Sequence, residues 1–467
     1  MASDPDSWPR DRVLWLVVAV TTAARLYLAW RYFGFLGGDD VEILEETFRV
    51  TRGLDYHPWE IRNLFLPYVV VSPFVRLGSA LGLAGTFPLT LCATLPFIVL
   101  ASVNVVLVYL VALRWLGDRA TARTAMTIYA FHWLPLALGG TVYPRTVSTT
   151  FVLGAVVVLS RVGRHTTRGV VAGTLVALAC AVRYSEGIFL LPVGMVAMAS
   201  GENRGGSLRR VLGMLGGFVA GTAVAAGLFN AVTWGDPLAS LEALARFMLL
   251  GEGAEGLSTQ PPLFYLQRIL FWLPPTLLPA LVLALGVRRA RPAWAFVAVP
   301  LVIFSLVHHK ELRYLQGAIP FFAIAGAAGF AVMRRRWSPG PVTALVVLTL
   351  ASEVLGARIL AGKSMAAVSA ARAMASERGV KVVVLSQAWA YGGRLYFGNG
   401  VEVRDLPTPP RERDVEERIP GADRLALYRR DLEEDPALAA ALARHGFVAA
   451  RQFSWGRSKT VVVFGRK

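Results

Sequence analysis

Asp39, Glu42 and Glu46 recur at i, i+3 and i+7, so the run DDVEILEE, read as a helix, carries a stripe of carboxylates along one face. Asp39 and Asp40 follow two glycines, which puts them near a helix N-terminus where backbone N–H groups and the dipole favour acids. Two roles are open to them. They can cap a solvated helix, or one can act as a general base that takes a proton from an attacking hydroxyl. The complementary charge lies in HHKELRY, residues 308–314. Lys310 offers a compact ammonium and Arg313 a planar fork for phosphate oxygens, with His308 and His309 beside them and Glu311 placed to orient Lys310. A snorkelling anchor at the membrane surface is the alternative for this cluster. Arg145 and Arg183 are further single cations, open to an interfacial role or to a phosphate. A base and a set of cations are what the displacement of a phosphate-linked group requires.

Other chemistries find little support. The chain contains no GxSxG, no histidine pair at helix-face metal spacing and no glycine-rich nucleotide loop opening a helix in its apolar part; YGGRLYFGNG (391–400) lacks the strand-turn-helix context of such a loop. Cys92 and Cys180 both lie in apolar runs and read as small core residues. His132 falls within an apolar span and reads as a core residue, while His57, Trp59 and Trp234 resemble interface markers. No metal site and no cofactor are expected, although the acids leave a divalent ion open.

The elements that must hold these residues are membrane helices. Of 467 residues 55% are hydrophobic and 17% charged, with a mean hydropathy of +0.51, which excludes disorder and an ordinary soluble enzyme. Candidate spans are 12–33, 88–113, 124–140, 146–160, 169–182, 187–199, 211–233, 262–287, 293–307, 313–333 and 340–361. The stretch 169–199 could also be one broken helix. The first run lacks a small-residue cleavage site and reads as an uncleaved anchor. Residues 64–84, with Pro67, Pro73 and Arg76, read as a re-entrant or interfacial segment. The formal net charge of +17 has a topological source. Alternate loops carry three arginines each: Arg114, Arg119, Arg123; Arg161, Arg164, Arg168; Arg204, Arg209, Arg210; Arg288, Arg289, Arg291; and Arg334, Arg335, Arg336. Such loops stay on the cytoplasmic side, so the N-terminus is inside, the charged motifs and the tail are outside, and no nucleic-acid partner is called for. The outer motifs fall in six clusters: 37–49, 55–63, 141–146, 183–187, 234–237 and 308–314. Composition breaks near Lys363, after which short β-branched runs such as 381–386 and 460–465 flank a helical segment from Pro436 to Arg444. The expected fold is a polytopic α-helical membrane protein of about 11 transmembrane helices. Residues 1–362 form the membrane domain, with an acidic first outer loop at 34–64, and residues 363–467 form a small α/β soluble domain.

These motifs resemble glycosyltransferase family 22 and, more widely, the GT-C class of membrane glycosyltransferases, which includes mannosyltransferases that extend lipid-linked oligosaccharides and glycolipid anchors. DDVEILEE (39–46) looks like the family's first-loop acidic motif, with Asp40 where a Glu is usual. PWEIRNLFLP (58–67) is similar to its Pro-Trp-x-Ile-Arg-Ser run, with Asn63 in the Ser position. PRTVS (144–148) and HKELRYLQGAIP (309–320) resemble two later segments, the last with Tyr314 in place of Phe. The resemblance covers residues 39–320. It implies inverting, metal-independent transfer of a hexose, mannose in most members, from a polyprenyl-phosphate donor to a lipid-linked or glycan acceptor.

On this basis Asp39 is the expected base and Asp40 its support, the adjacent acids pushing one pKa upward. Lys310, Arg313, His309, Arg145 and Arg183 are expected to hold the donor phosphate, with Glu311, Glu46, Trp59 and Arg62 supporting. The setting would be a bacterial inner membrane with membrane lipids as partners and the site on its outer face. A carrier of lipid-linked sugars and a protein O-glycosyltransferase of the same fold are the alternatives.

Overall fold

The structure, a computed structural model, describes residues 5–36, 38–54, 59, 61–161, 165–199, 204–250, 260–307, 309–407, 409–455 and 459–466. His57, Arg164 and His308 lie outside the described residues. The chain is a multi-pass membrane protein. Among the described residues seven helices are long and apolar enough to cross a bilayer, and four shorter apolar helices accompany them: Leu66–Ala80, Pro144–Leu159, Tyr184–Ala199 and Pro275–Ala284.

Polar caps and prolines break several expected spans. The stretch 124–140 is two helices, Arg119–Phe131 and Trp133–Leu138. His132 makes the break: its Nδ1 accepts the N–H of Leu134 at 3.2 Å, its Nε2 lies 3.0 Å from the carbonyl of Trp272, and Glu353 accepts the N–H of Trp133 at 2.7 Å. The expected span 262–287 is a series of short helices interrupted at Pro274 and Pro275, whose rings remove ladder donors. Leu66–Ala80, helical throughout, extends only about 22 Å at 1.5 Å per residue and is too short for a bilayer core of about 30 Å. Residues 169–199 are two helices, His165–Val182 and Leu190–Ala199, with Arg183 extended at the break.

The arginines of separate short loops gather at one end of the bundle. Arg114 donates to the carbonyl of Val157 at 2.8 Å, Arg210 to that of Leu159 at 3.3 Å and Arg289 to that of Leu116 at 3.0 Å. At the same end Asp11 caps the first span, accepts from Tyr109 at 2.8 Å and pairs with Arg123 at 3.0 Å. Side-chain size governs one helix pair. His165–Val182 and Arg204–Thr222 approach so closely that a Cβ at Gly169, Gly173 or Gly217 would stand 2.1, 1.9 or 2.2 Å from a backbone carbonyl oxygen of the facing helix. Small residues permit such contact where lipid supplies no hydrophobic drive between helices.

The C-terminal part is an α/β unit. Five strands, β1 (Val382–Ser386), β2 (Glu402–Leu406), β3 (Arg424–Tyr428), β4 (Phe447–Trp455) and β5 (Lys459–Arg466), form a mixed sheet in the order β2-β1-β3-β5-β4. β1 runs parallel to both neighbours, and β5 is antiparallel to β3 and β4. The central strands are apolar on both sides because both faces are covered. Met365–Ala375 packs Ala370, Ala371 and Met374 against Val383, Leu385 and Val463, and Pro436–Arg444 packs Leu438 and Leu442 against Val384, Leu425 and Phe464.

Candidate active site

At the end opposite the arginine-rich loops a cavity of about 880 Å³ lies between the bundle and the C-terminal unit. Five of the six charged clusters line it; the cluster at 234–237 does not. The acidic helix, Asp39–Arg52, starts where expected. Its N-cap Gly38 has φ +97°, and a Cβ there would stand 3.2 Å from Nη1 of Arg313. Glycine therefore serves both the left-handed backbone and the close approach of the guanidinium.

Asp39 is the centre of the charge network. It is 7% exposed, and three arginines from distant segments converge on it. Arg62 donates from Nη2 to Oδ1 at 2.7 Å while its Nε reaches Glu42 at 2.6 Å, bridging one helical turn. Arg183 donates from Nη1 to Oδ2. Arg313 lies 3.9 Å from the same oxygen, and its Nε donates to Glu311. Burial alone would raise the Asp39 carboxyl, but the guanidinium groups of Arg183, Arg313 and Arg62 outweigh it and hold it well below the usual carboxylate range.

Asp40 faces inward, away from the cavity lining, and accepts the N–H groups of Leu36 and Val41. Burial pushes its carboxyl up to about 6. One of the adjacent acids is raised, as the sequence suggests, but desolvation is the main cause and Asp39 contributes less. Glu46 lines the cavity, 1% exposed, with no hydrogen bond to either carboxylate oxygen among the described residues and Arg49 at 3.6 Å; burial pushes it up to about 7.

The other expected residues divide. His309, Glu311, Arg313, Arg145, Arg183, Trp59 and Arg62 all line the cavity. Arg145 is 1% exposed and bound to Glu186 while donating to the carbonyl of Tyr314 at 2.9 Å, so its charge is already compensated. Lys310 is not in the lining. Its ammonium donates to the carbonyls of Gln260, at 2.8 Å, and Val307. Nor does Glu311 orient it, because Glu311 pairs with Arg313 and lies 3.9 Å from His309. Glu311 is extended, with φ −136° and ψ 146°, so side chains alternate there and Lys310 is thrown to the opposite side.

Sequence reasoning missed the wall built by the C-terminal unit. Lys363, Ala388, Trp389, Gly393, Arg394, Val403 and Asp405 line the cavity, and Glu45 of the acidic helix accepts the N–H of Arg394. No periodic signal marks these residues. A second wall is apolar and includes Leu64, Leu66, Pro67, Leu244, Phe247 and Met248, with Trp59 edge-on to Phe247 at 5.5 Å.

Comparison with known proteins identifies the family and the fold. The Alg9-like mannosyltransferase family matches residues 41–383. GPI mannosyltransferase 3 of Yarrowia lipolytica is 25% identical over 336 residues, which are 68% of this chain and 63% of that protein, so the match spans less than two thirds of the relative's length. Among solved structures, ArnT from Cupriavidus metallidurans in the apo state has a TM-score of 0.60 at 12% identity, covering 96% of this chain and 97% of that one. The same protein bound to undecaprenyl phosphate gives 0.57 at 11%, with the same coverage. The Archaeoglobus fulgidus oligosaccharyltransferase tethered to an acceptor peptide gives 0.53 at 13%, covering 99% of this chain and 75% of that one. These likenesses show a shared GT-C fold.

Proposed function

The chain belongs to the Alg9-like mannosyltransferase family, and on that premise we propose that it transfers a hexose, mannose in the first instance, from a polyprenyl-phosphate donor to a lipid-linked or glycan acceptor. The observation that carries this reading is Asp39, a buried cavity-facing carboxylate gripped by arginines from three distant segments. The acceptor hydroxyl attacks the anomeric carbon from the side opposite the phosphate, and its proton passes to Asp39. The bond from that carbon to the phosphate oxygen breaks, its electron pair leaves with the phosphate, and the anomeric configuration inverts.

The arginines have two occupations in this scheme. Before the donor enters they neutralise Asp39, which makes it a weak base. An incoming phosphate competes for Arg183 and for Arg313, which is already 3.9 Å from Asp39, and that competition frees the carboxylate to accept a proton. The apolar wall around Leu66, Phe247 and Met248 suits a polyprenyl chain. The loop arginines at the far end support a cytoplasmic position for that end and an extracytoplasmic one for the cavity.

The test is Asp39→Asn in the full-length protein, given a polyprenyl-phosphate mannose and an acceptor mixture. Release of polyprenyl phosphate should fall by about 10²–10⁴-fold, with the melting temperature and donor binding retained. Turnover within a factor of about two of the wild type would remove Asp39 from the reaction.

A further inference from the structure

The lysine that the sequence singles out, Lys310, is tied to backbone carbonyls outside the cavity. A different lysine, Lys363, lines it while remaining exposed to solvent. Lys363 occupies the turn between the last apolar helix, Pro339–Ala361, and the helix that opens the C-terminal unit, Met365–Ala375. This turn is pinned: Ser364 donates to the carbonyl of Leu36, and the N–H of Lys363 donates to that of Leu360 at 2.9 Å. The Lys363 ammonium lies 5.4 Å from the ring centroid of Trp389, another lining residue.

Its surroundings separate it from four of the arginines of the cavity. Arg62 is engaged by Asp39 and Glu42, Arg183 by Asp39, Arg313 by Glu311 and Arg145 by Glu186. Among the described residues no carboxylate oxygen lies within 4.0 Å of the Lys363 ammonium. Arg313, Glu311 and Asp40 are nevertheless close enough to act on its charge, so it belongs to the field of the catalytic cluster. An indole face attracts an ammonium without neutralising it. The pair thus presents a held cation that lacks a salt-bridge partner among the described residues, and the ligand chemistry that answers it is a phosphate oxyanion.

We propose that Lys363 is a further cation of the donor-phosphate site, beside Arg183 and Arg313, and that Trp389 is a positioning residue that holds its ammonium toward the cavity. The proposal rests on the glycosyl-transfer reading above. A phosphate carried by the acceptor has the same chemistry, and the experiment separates the two.

Undecaprenyl phosphate, without sugar, is titrated into the full-length protein in detergent, and the KM values for donor and acceptor are measured in parallel. Lys363→Gln should weaken undecaprenyl phosphate binding by about 10-fold or more, while Lys363→Arg should stay within about 3-fold of the wild type. Trp389→Ala should weaken it less, Trp389→Phe should restore it, and adding Trp389→Ala to Lys363→Gln should cost nothing further, as expected of a residue acting through the lysine. Unchanged undecaprenyl phosphate binding with a raised KM for a phosphate-bearing acceptor overturns the donor assignment. Wild-type behaviour of Lys363→Gln on both overturns the anion site altogether. Because binding is read without turnover, a protein that binds the lipid but transfers no sugar would refute the functional reading and leave the Lys363 result legible.

Discussion

Glu45, on the acidic helix of the first loop, accepts the backbone N–H of Arg394 from the C-terminal unit at 2.5 Å. Gly393, at φ +52°, makes room for it, since a Cβ there would stand 2.0 Å from Glu45 Oε1. This contact joins the helix that carries Asp39 to the opposite wall of the cavity. Burial pushes the Glu45 carboxyl up to about 7, against a usual 4.5, with the Arg394 N–H opposing. The folded protein therefore holds a proton that the unfolded chain has released.

The stability from this proton is fully present below about pH 4.5 and is lost as pH rises through about 7. Melting in detergent should be lower at pH 8 than at pH 5, and Glu45→Gln should flatten the difference in part, since Asp40 and Glu46 act in the same direction. A Glu45→Gln profile as steep as the wild type would contradict this.

Removing one of the guanidinium groups from Asp39 should raise its carboxyl toward the ordinary range. In Arg183→Ala the acidic limb of the pH profile of kcat/KM is expected to move to higher pH, together with a fall in rate. If the limb stays where it is, the titrating group is not Asp39.

Arg145 and Glu186 form an ion pair with side chains 1% and 0% exposed. Arg145→Met removes the ion-pair partner of a buried carboxylate and should cost about 3–5 kcal/mol. Arg145→Met combined with Glu186→Met should cost less than the single change. Thermal unfolding of the two variants decides it, and a double variant less stable than Arg145→Met would show that the pair's charges are not what couples them.

For the glycine-mediated helix contact the prediction carries its own control. Gly173→Ala would drive a methyl to 1.9 Å from the carbonyl oxygen of Met214 and should lower the melting temperature clearly. Gly216→Ala, on the partner helix but with nothing within 4 Å among the described residues, should be neutral or stabilising by up to about 1 kcal/mol. Equal effects from both would argue against close packing as the reason for Gly173.

The carboxylate stripe, the arginine-rich loops and the Pro436–Arg444 helix were legible because each follows from a short-range rule. Asp39, Glu42 and Glu46 share a helical face in the sequence and share the cavity in the fold. Lys310 shows where such rules stop: its residue type suited a phosphate, but one extended residue at Glu311 decided the direction of its side chain. The breaks at His132 and Pro274 came from partners 140 residues apart and from ring chemistry inside an apolar run, neither of which hydropathy registers. Trp389 and Asp405 reach the site only through the docking of a separate sheet, a relation without periodicity, and Lys363 through the turn that leads into it.

The arginines on Asp39 also bear on how the chain assembles. Arg62 and Arg183 stand 23 and 144 positions from it along the sequence, and Arg313 comes from still farther on, so the cluster closes only when the first loop, the middle of the bundle and its late helices have met. Each arrival neutralises charge that the others have buried. The network is thus a clasp as well as a candidate catalytic centre. A chain with any of these segments out of place keeps an uncompensated charge in its interior, and turnover becomes a strict report of complete folding.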